Sequence, residues 1–237
     1  MDYESPEVFF TMHPYIKDLY KELNKKRDPE VAVPMKKYMR NQFEFFGIKS
    51  EERRLLCKDY MNSKPLPTGG ELRAIVSELW TLPERDFQYF AIELLMKCKK
   101  QWNEQDIVLF EQLIVNKSWW DSVDYLANHV TGPWFRKYPK HIKKITGRWN
   151  KSDNIWLQRM SLLFQLKYKK ETDLSLLFRY IKNLSESREF FVQKAIGWIL
   201  REYSKTDPEA VLGFLKENEL KPLSRREAMK VIERNGL

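Results

Sequence analysis

The segment FFVQKAIGWILREYSK, residues 190–205, decides the fold class of this chain. Its apolar residues recur with the 3.6-residue period of an amphipathic α-helix. Segments of the same kind are ELRAIVSELW, FQYFAIELLMKCKK and WLQRMSLLFQLKYKK. The chain of 237 residues has only 8 glycines, and it has no long alternating β-rich runs joined by hairpin turns. The sequence therefore predicts an all-α protein.

Short polar motifs that resemble capping boxes accompany several of these segments. In a capping box, an N-cap hydroxyl and an N3 carboxylate satisfy free backbone N–H groups at the start of a helix. The motifs begin at Thr81, Ser118 and Ser224, and their carboxylates belong to Glu84, Asp121 and Glu227. Asp153 and Ser187 precede apolar runs in the same manner. Each of these positions predicts a helix start.

The helical segments repeat in register. Gln88, Gln158 and Gln193 occupy the same place in RDFQ, IWLQ and FFVQ, and they are 70 and 35 residues apart. Steps of 35 residues also reach Arg53 and Val123. Pairs of helices at periods of 34 to 47 residues are typical of an α-solenoid, in which repeats bury their apolar faces only by stacking. The period favours HEAT-like repeats.

The position after each of these markers is unusually basic. Its residues are Arg54, Tyr89, Asp124, Arg159 and Lys194. One helical turn later come Lys58, Glu93, Asn128, Leu163 and Trp198, and Lys167 and Arg201 add charge on the same helices. Equivalent positions of stacked helices share one face, so this column predicts a concave basic surface that binds an anion such as the DNA backbone. The alternative is a solvated outer face.

The stretch KSWWDSVD, residues 117–124, places the single acid of that column beside a tryptophan. Trp120 and Asp124 are four residues apart and therefore lie on one helix face, whereas Trp119 points elsewhere and is expected in the core. Together with Trp198 and an opposing arginine, they predict a cradle for a ligand. The alternative is that these tryptophans serve only as packing.

The composition of the chain indicates which kind of partner it binds and in which compartment it is expected. The formal charge is +9 and the pI about 9.3, which makes nucleic acid the first anionic partner to consider. Cys57 and Cys98 are isolated, so a disulfide framework or a metal site is not expected. The acidic start MDYESPEVFF is unlike a signal peptide, and no apolar run approaches 18 residues. We expect a cytoplasmic protein without a membrane segment.

Longer motifs resemble a known family. MHPYIKDLYKELNKKRDPEVAVPMKKYMRNQFEFFGIKSEERR, LIVNKSWWDSVD, SDNIWLQR, FQLKYK and EFFVQKAIGWILREY are similar to motifs of the bacterial AlkD-type DNA-alkylation-repair glycosylases, which are built of HEAT-like repeats. The resemblance runs from about His13 to the C-terminus. It implies one domain over residues 13–237 and leaves residues 1–12 as an extension that is expected to be flexible.

The resemblance also implies a function and a set of site residues. Members of that family release positively charged N3- and N7-alkylated purines from duplex DNA. By motif match, Asp124, Trp120 and Trp198 would be catalytic. Arg159 and Tyr38 would contact DNA, and Lys167 and Arg201 would bind its backbone. Arg54 and Lys194 join the DNA-binding set from the basic column alone.

The expected chemistry is hydrolysis of an N-glycosidic bond by a monofunctional enzyme. A carboxylate beside C1′ stabilises a developing oxocarbenium ion, as in glycoside hydrolysis. None of the three histidines, His13, His129 and His141, falls in the stretch KSWWDSVD that carries Trp120 and Asp124. A cationic alkylpurine leaves as a neutral base and needs no general acid. We expect a monomer without metal or cofactor and without a base-flipping pocket. The alternative is a non-catalytic HEAT-like module that binds nucleic-acid structures or an acidic protein.

Overall fold

The computed structural model describes residues 12–236, and all regular elements in this range are helical. The chain divides into two compact units, one ending at Asn103 and one beginning at Glu104. In the first unit the helices are α1 (Pro14–Asn24), α2 (Pro29–Tyr38), α3 (Ser50–Ser63), α4 (Gly69–Thr81) and α5 (Arg85–Lys97), followed by a 3₁₀ turn at Lys99–Gln101. The all-α prediction is confirmed.

The second unit carries nine further α-helices within the described residues. They are α6 (Asp106–Val115), α7 (Trp120–Leu126), α8 (Gly132–Lys137), α9 (Ile142–Asn150), α10 (Ile155–Leu163), α11 (Leu174–Leu184), α12 (Phe190–Tyr203), α13 (Pro208–Glu217) and α14 (Pro222–Arg234). A π-helical turn, Ala127–Thr131, joins α7 to α8, and 3₁₀ turns occur at Pro139–His141 and Lys169–Glu171. No helix in the described range is both long and apolar enough to span a membrane.

The predicted extension over residues 1–12 lies outside the described residues except for its last member. Met12 is buried, with 5% of its surface exposed. The backbone N–H of the next residue, His13, donates to Glu78 on α4 at 3.0 Å. The expectation of a single domain over residues 13–237 stays a prediction.

The marker glutamines of the repeat share one hydrogen bond. The side-chain Nε2 groups of Gln88, Gln158 and Gln193 each donate to the carbonyl oxygen six residues earlier, at 3.0, 2.7 and 3.1 Å. Each bond ties the first turn of a helix to the loop before it and satisfies a carbonyl that the loop would otherwise leave unpaired. The sequence repeat is therefore a repeat of one local contact.

The helices that carry these markers, together with α14, pack successively within each unit. In the first unit α3 packs on α5. In the second unit α7 packs on α10, α10 on α12, and α12 on α14. A second row forms where α9 packs on α11. This is the packing expected when HEAT-like helix pairs bury their apolar faces against their neighbours.

The predicted capping boxes are wrong. Thr81 ends α4 and donates to the carbonyl of Glu78 at 2.7 Å, and Ser118 donates to the carbonyl of Ile114 at 2.6 Å. Ser224 lies inside α14 and donates to the carbonyl of Gln193 at 3.0 Å. Hydroxyls can bond backwards to a carbonyl as readily as they can cap an N-terminus, so these short motifs could not separate the two uses.

The side chains that do cap helices in this chain are mostly aspartates and asparagines. Asn154, the neighbour of the expected Asp153, accepts from the N–H groups of Trp156 and Leu157 at the start of α10. Asp28, Asp173 and Asp207 cap α2, α11 and α13 in the same way. Ser187 lies two residues before the N-cap of α12, Glu189, whose N–H donates to it. The expected starts near Asp153 and Ser187 are thus displaced by one and two residues.

Gly132 allows the turn after α7 to pack against α10. A Cβ at this position would lie 2.5 Å from the carbonyl oxygen of Phe164 and 2.7 Å from that of Ala127. The carbonyl of Gly132 itself accepts a hydrogen bond from the hydroxyl of Tyr168 at 2.7 Å. Backbone approaches from two sides therefore leave no room for a side chain.

We expect Gly132→Ala to lower the free energy of unfolding by about 1–3 kcal/mol, because two backbone segments would have to shift. Gly213→Ala is the matched control, since a Cβ there meets nothing within 4 Å. That control should leave stability unchanged or raise it slightly, because alanine favours helix over glycine. Urea denaturation of both variants decides the point, and equal midpoints would contradict the packing argument.

Candidate active site

The backbone before α7 turns sharply and separates the two adjacent tryptophans. Lys117 has a positive φ of 47°, a conformation that costs a non-glycine residue strain. Trp119 follows as the extended N-cap residue, and Trp120 is the first residue of the helix. Because the two residues have different backbone conformations, their rings leave the chain in different directions.

Trp119 belongs to the core, as expected. It is 8% exposed, and its ring lies 5.0 Å from that of Phe191 and 5.8 Å from that of Trp156, centroid to centroid. These three rings come from the N-terminal ends of α7, α10 and α12. The cluster fixes the ends of three stacked helices and hence the side chains one turn further along them.

Trp120 and Asp124 are both half-buried residues of α7. Their spacing of four residues puts them on the same side of this short helix. The helix then passes directly into the π turn Ala127–Thr131. Asn128 in that turn donates from Nδ2 to the backbone carbonyl of Asp124 at 2.8 Å.

Asp124 forms a bidentate ion pair with Arg159 of α10. The Nε of Arg159 donates to Oδ1 at 2.7 Å, and Nη2 donates to Oδ2 at 2.8 Å. Only 5% of the arginine side chain and 14% of the aspartate side chain are exposed. Two parallel charge-assisted bonds fix the plane of the carboxylate as well as its position. The acid of the basic column is therefore not isolated.

Arg159 links the carboxylate to a third helix. Its Nη1 donates to the backbone carbonyl of Phe191 in α12 at 2.6 Å. Its guanidinium carbon also lies 5.9 Å from the centre of the Trp198 ring, within the range of a cation–π contact. Side chains of α7, α10 and α12 thus converge at one place, and Asp124, Arg159 and Trp198 are brought together there.

The protonation of Asp124 reflects two opposing influences. Burial raises the pKa of its carboxyl above the ordinary value, and the charge and hydrogen bonds of Arg159 act in the opposite direction. The net direction is upward. The carboxylate is thus a less strongly hydrated base than a surface aspartate, held in one orientation by its partner.

The residues that are expected to contact DNA differ in their exposure and in their protein partners. Arg159 is 4% exposed and directs three of its N–H groups to protein acceptors, so its contact with DNA stays a prediction. Lys194 and Arg201 of α12 both pair with Glu227, at 2.9 and 2.8 Å. Lys167 is exposed after α10. In the first unit Tyr38 is 70% exposed, and Arg54 is exposed on α3.

Two residues near the site were missed by sequence reasoning. Glu227 was assigned to a capping box, whereas it is a buried partner of three cations. Asn128 was placed in a mixed column, yet its buried Oδ1 has no hydrogen-bond partner in the described part of the chain. Of the two, only Asn128 carried a signal, its position one turn after the acid.

The histidines and cysteines do not complete the site. His141 pairs with Glu104 at 2.8 Å, and Cys57 and Cys98 are buried free thiols. Across residues 12–236, no group of three His, Cys, Asp or Glu side chains is placed to hold a metal ion. The expectation that no metal or cofactor takes part stays a prediction.

Comparison with known proteins identifies the family. The family model for DNA alkylation repair enzymes matches residues 19–232. A solved structure titled as a predicted DNA alkylation repair enzyme from Enterococcus faecalis is 35% identical, with a TM-score of 0.81, and the match covers 86% of this chain and 96% of that one. No curated protein matches the chain significantly. The all-helical chain belongs to the DNA alkylation repair enzyme family.

Proposed function

We propose that this protein is a monofunctional DNA glycosylase that releases N3- and N7-alkylated purines, such as 3-methyladenine and 7-methylguanine, from duplex DNA. The observation that carries the proposal is the half-buried carboxylate of Asp124, fixed by two hydrogen bonds from Arg159 next to the Trp198 ring. Membership of the repair family supports DNA as the substrate.

The bond to be broken joins C1′ of the deoxyribose to a purine nitrogen. Its electron pair leaves with the base, and the sugar becomes an oxocarbenium ion. An alkylated purine that is already cationic departs as a neutral molecule, so no proton donor is required. A water then adds to C1′, and its proton passes to solvent or to a nearby base.

Asp124 would stabilise the positive charge that develops on the sugar. A fixed anion in a partly dehydrated site stabilises a cationic transition state more than water does, because it needs no reorganisation. Arg159 binds each oxygen once, which leaves a second lone pair on each for the attacking water. The electron-rich ring faces of Trp120 and Trp198 would favour the same charge.

The proposed class of substrate is inferred from the groups of the site that would stabilise positive charge on the sugar. A carboxylate and two indoles act on the sugar, so the size of the departing base matters less than its charge. We therefore infer a preference for cationic adducts, including bulkier ones, and slow release of neutral lesions.

The test is a base-release assay on duplex oligonucleotides that carry 7-methylguanine, with a matched duplex that carries a neutral lesion such as uracil. Release of 7-methylguanine alone, leaving an abasic site without strand cleavage, is the expected result. Binding of both duplexes without release of either base would instead indicate a non-catalytic DNA-binding module.

The pH dependence of this reaction should follow the protonation of the Asp124 carboxyl. Burial raises the pKa of the carboxyl, so the inactive protonated form persists to a higher pH than for an ordinary aspartate of pKa about 3.9. We expect the single-turnover rate to fall as the pH is lowered, with a midpoint above that value. A rate that stays constant down to about pH 4 would contradict the assignment.

A further inference from the structure

Glu227 of α14 is a buried carboxylate that binds three cations. It is 4% exposed, with Lys194 and Lys230 on Oε1 at 2.9 and 2.7 Å and Arg201 on Oε2 at 2.8 Å. Burial, the largest single influence, would raise the pKa of Glu227, but the hydrogen bonds and the positive charges of Lys230 and Lys194 together outweigh it, and the pKa is lowered to about 2. The group is therefore a permanent anion at neutral pH.

Two of these cationic residues come one before and one after Trp198 in the sequence of α12. Lys194, Trp198 and Arg201 are residues i, i+4 and i+7 of α12 and so form one stripe on that helix, with the Cα atoms of the two cationic residues about 10 Å apart along its axis. The side chains of Lys194 and Arg201 are 36% and 28% exposed, whereas that of Glu227 is 5% exposed. The carboxylate lies beneath the cations and is covered by them.

A close approach of two helices makes this arrangement possible. Gly197 adjoins Trp198, and a Cβ there would lie only 2.4 Å from the Cβ of Glu227 and 2.7 Å from the carbonyl oxygen of Ser224. The hydroxyl of Ser224 donates to the carbonyl of Gln193 at 3.0 Å, one residue before Lys194. The backbone contact thus brings Glu227 to the level of the stripe.

Both cations keep donors for a further anion. Arg201 directs only Nη1 to Glu227, and within the described residues its Nε and Nη2 groups have no acceptor. An ammonium group has three donors, and Glu227 takes one from Lys194. A partly exposed cation that is bonded to a buried anion is held in one position before any ligand arrives, which reduces the entropy lost on binding.

We propose that Glu227 is a positioning residue that holds Lys194 and Arg201 as a clamp for the DNA phosphates on either side of the nucleotide whose sugar lies against Trp198. This inference rests on the proposed function, since it takes duplex DNA as the ligand. Glu227 does not touch the DNA and acts only through the two cations. The clamp would set the position of the scissile nucleotide along α12.

Removal of the negative charge of Glu227 is expected to weaken DNA binding, although DNA is itself an anion. Loss of the Glu227 charge makes the protein more positive, so long-range electrostatics alone would tighten DNA binding. If positioning dominates, Glu227→Gln weakens binding to undamaged duplex DNA by about fivefold to tenfold, within the range of couplings between contacting residues. Glu209→Gln is the matched control, because it removes one exposed carboxylate from α13 and should leave affinity unchanged or slightly tighter.

The dissociation constant is measured by fluorescence anisotropy at fixed salt, with thermal melting to establish that each variant is folded. Glu227→Asp is the second variant, since it keeps the buried charge while withdrawing the carboxylate by one methylene, and it should weaken binding as well. In a Lys194→Ala/Arg201→Ala background, Glu227→Gln should have no further effect.

Equal or tighter binding by both Glu227 variants overturns the clamp, and so does an undiminished effect in the double-alanine background. Release of 7-methylguanine by the wild-type protein is assayed in parallel. Normal release combined with either of those results refutes the clamp alone. A wild-type protein that neither binds duplex DNA nor releases the base refutes the proposed function as well.

Discussion

Asp124→Asn is expected to slow the release of 7-methylguanine from duplex DNA by about 10²–10³-fold, the range found when one electrostatic partner of a transition-state charge is removed. The amide keeps the size of the side chain and its place on α7. It loses the negative charge that would face the oxocarbenium ion. Single-turnover kinetics with enzyme in excess isolate this step, and the affinity for the duplex should change little.

Asp121→Asn is the control for this experiment. Asp121 lies in the same helix one turn before Asp124 and is also half-buried, so the same substitution removes the same charge three residues away. We expect its rate to stay within about threefold of the wild type, as for a charge outside the reacting centre. Similar losses in the two variants would show that net charge, not the site, is responsible. A wild-type rate for Asp124→Asn would remove Asp124 from the mechanism.

The all-α class and the register of the repeats could be predicted from the sequence because both depend on local interactions. The apolar period of FFVQKAIGWILREYSK is a property of one helix. The bond from Gln158 to the carbonyl of Ser152 spans six residues, and the equivalent bonds of Gln88 and Gln193 repeat it. Such contacts recur wherever the same residues recur, so the period of 35 residues could be predicted from the amino-acid sequence alone.

The helix starts were harder to predict because a hydroxyl has two local uses. Ser118 precedes Asp121 by three residues and fits a capping box, yet it bonds backwards to Ile114 and Trp119 becomes the N-cap. The choice depends on how the preceding helix ends, here at Val115 with a turn through the positive φ of Lys117. A four-residue pattern does not contain that information.

The partners across helices were the least predictable part of the candidate site. The column placed Asp124 and Arg159 in equivalent positions of adjacent repeats, and the structure shows them paired. The sequence did not show whether Arg159 faces the acid or a ligand, because side-chain direction depends on the packing of α7 against α10. Glu227 was assigned wrongly for the same reason, since its contacts depend on the approach of α14 to Gly197.

Arg159→Met should affect stability and catalysis together. The substitution leaves Asp124 as a half-buried charge without its partner, and breaking one side of a buried ion pair costs about 3–5 kcal/mol. Without the guanidinium, the remaining influences on the carboxyl, burial and the charge of Asp121, both raise its pKa, so the pKa of Asp124 should rise further and a larger fraction should be protonated at neutral pH. We therefore expect a lower midpoint of urea denaturation and a loss of base release comparable with that of Asp124→Asn.

The double variant Arg159→Met/Asp124→Asn tests whether the arginine acts through the aspartate. Removal of both charges should restore part of the stability lost in Arg159→Met, because no unpaired charge remains. If Arg159 only positions and ionises Asp124, the double variant should bind DNA as well as Asp124→Asn and release the base no more slowly. A further loss of DNA affinity in the double variant would show that Arg159 also contacts the DNA backbone, as the family resemblance implies. Additive losses of stability would contradict the ion pair as the source of the effect.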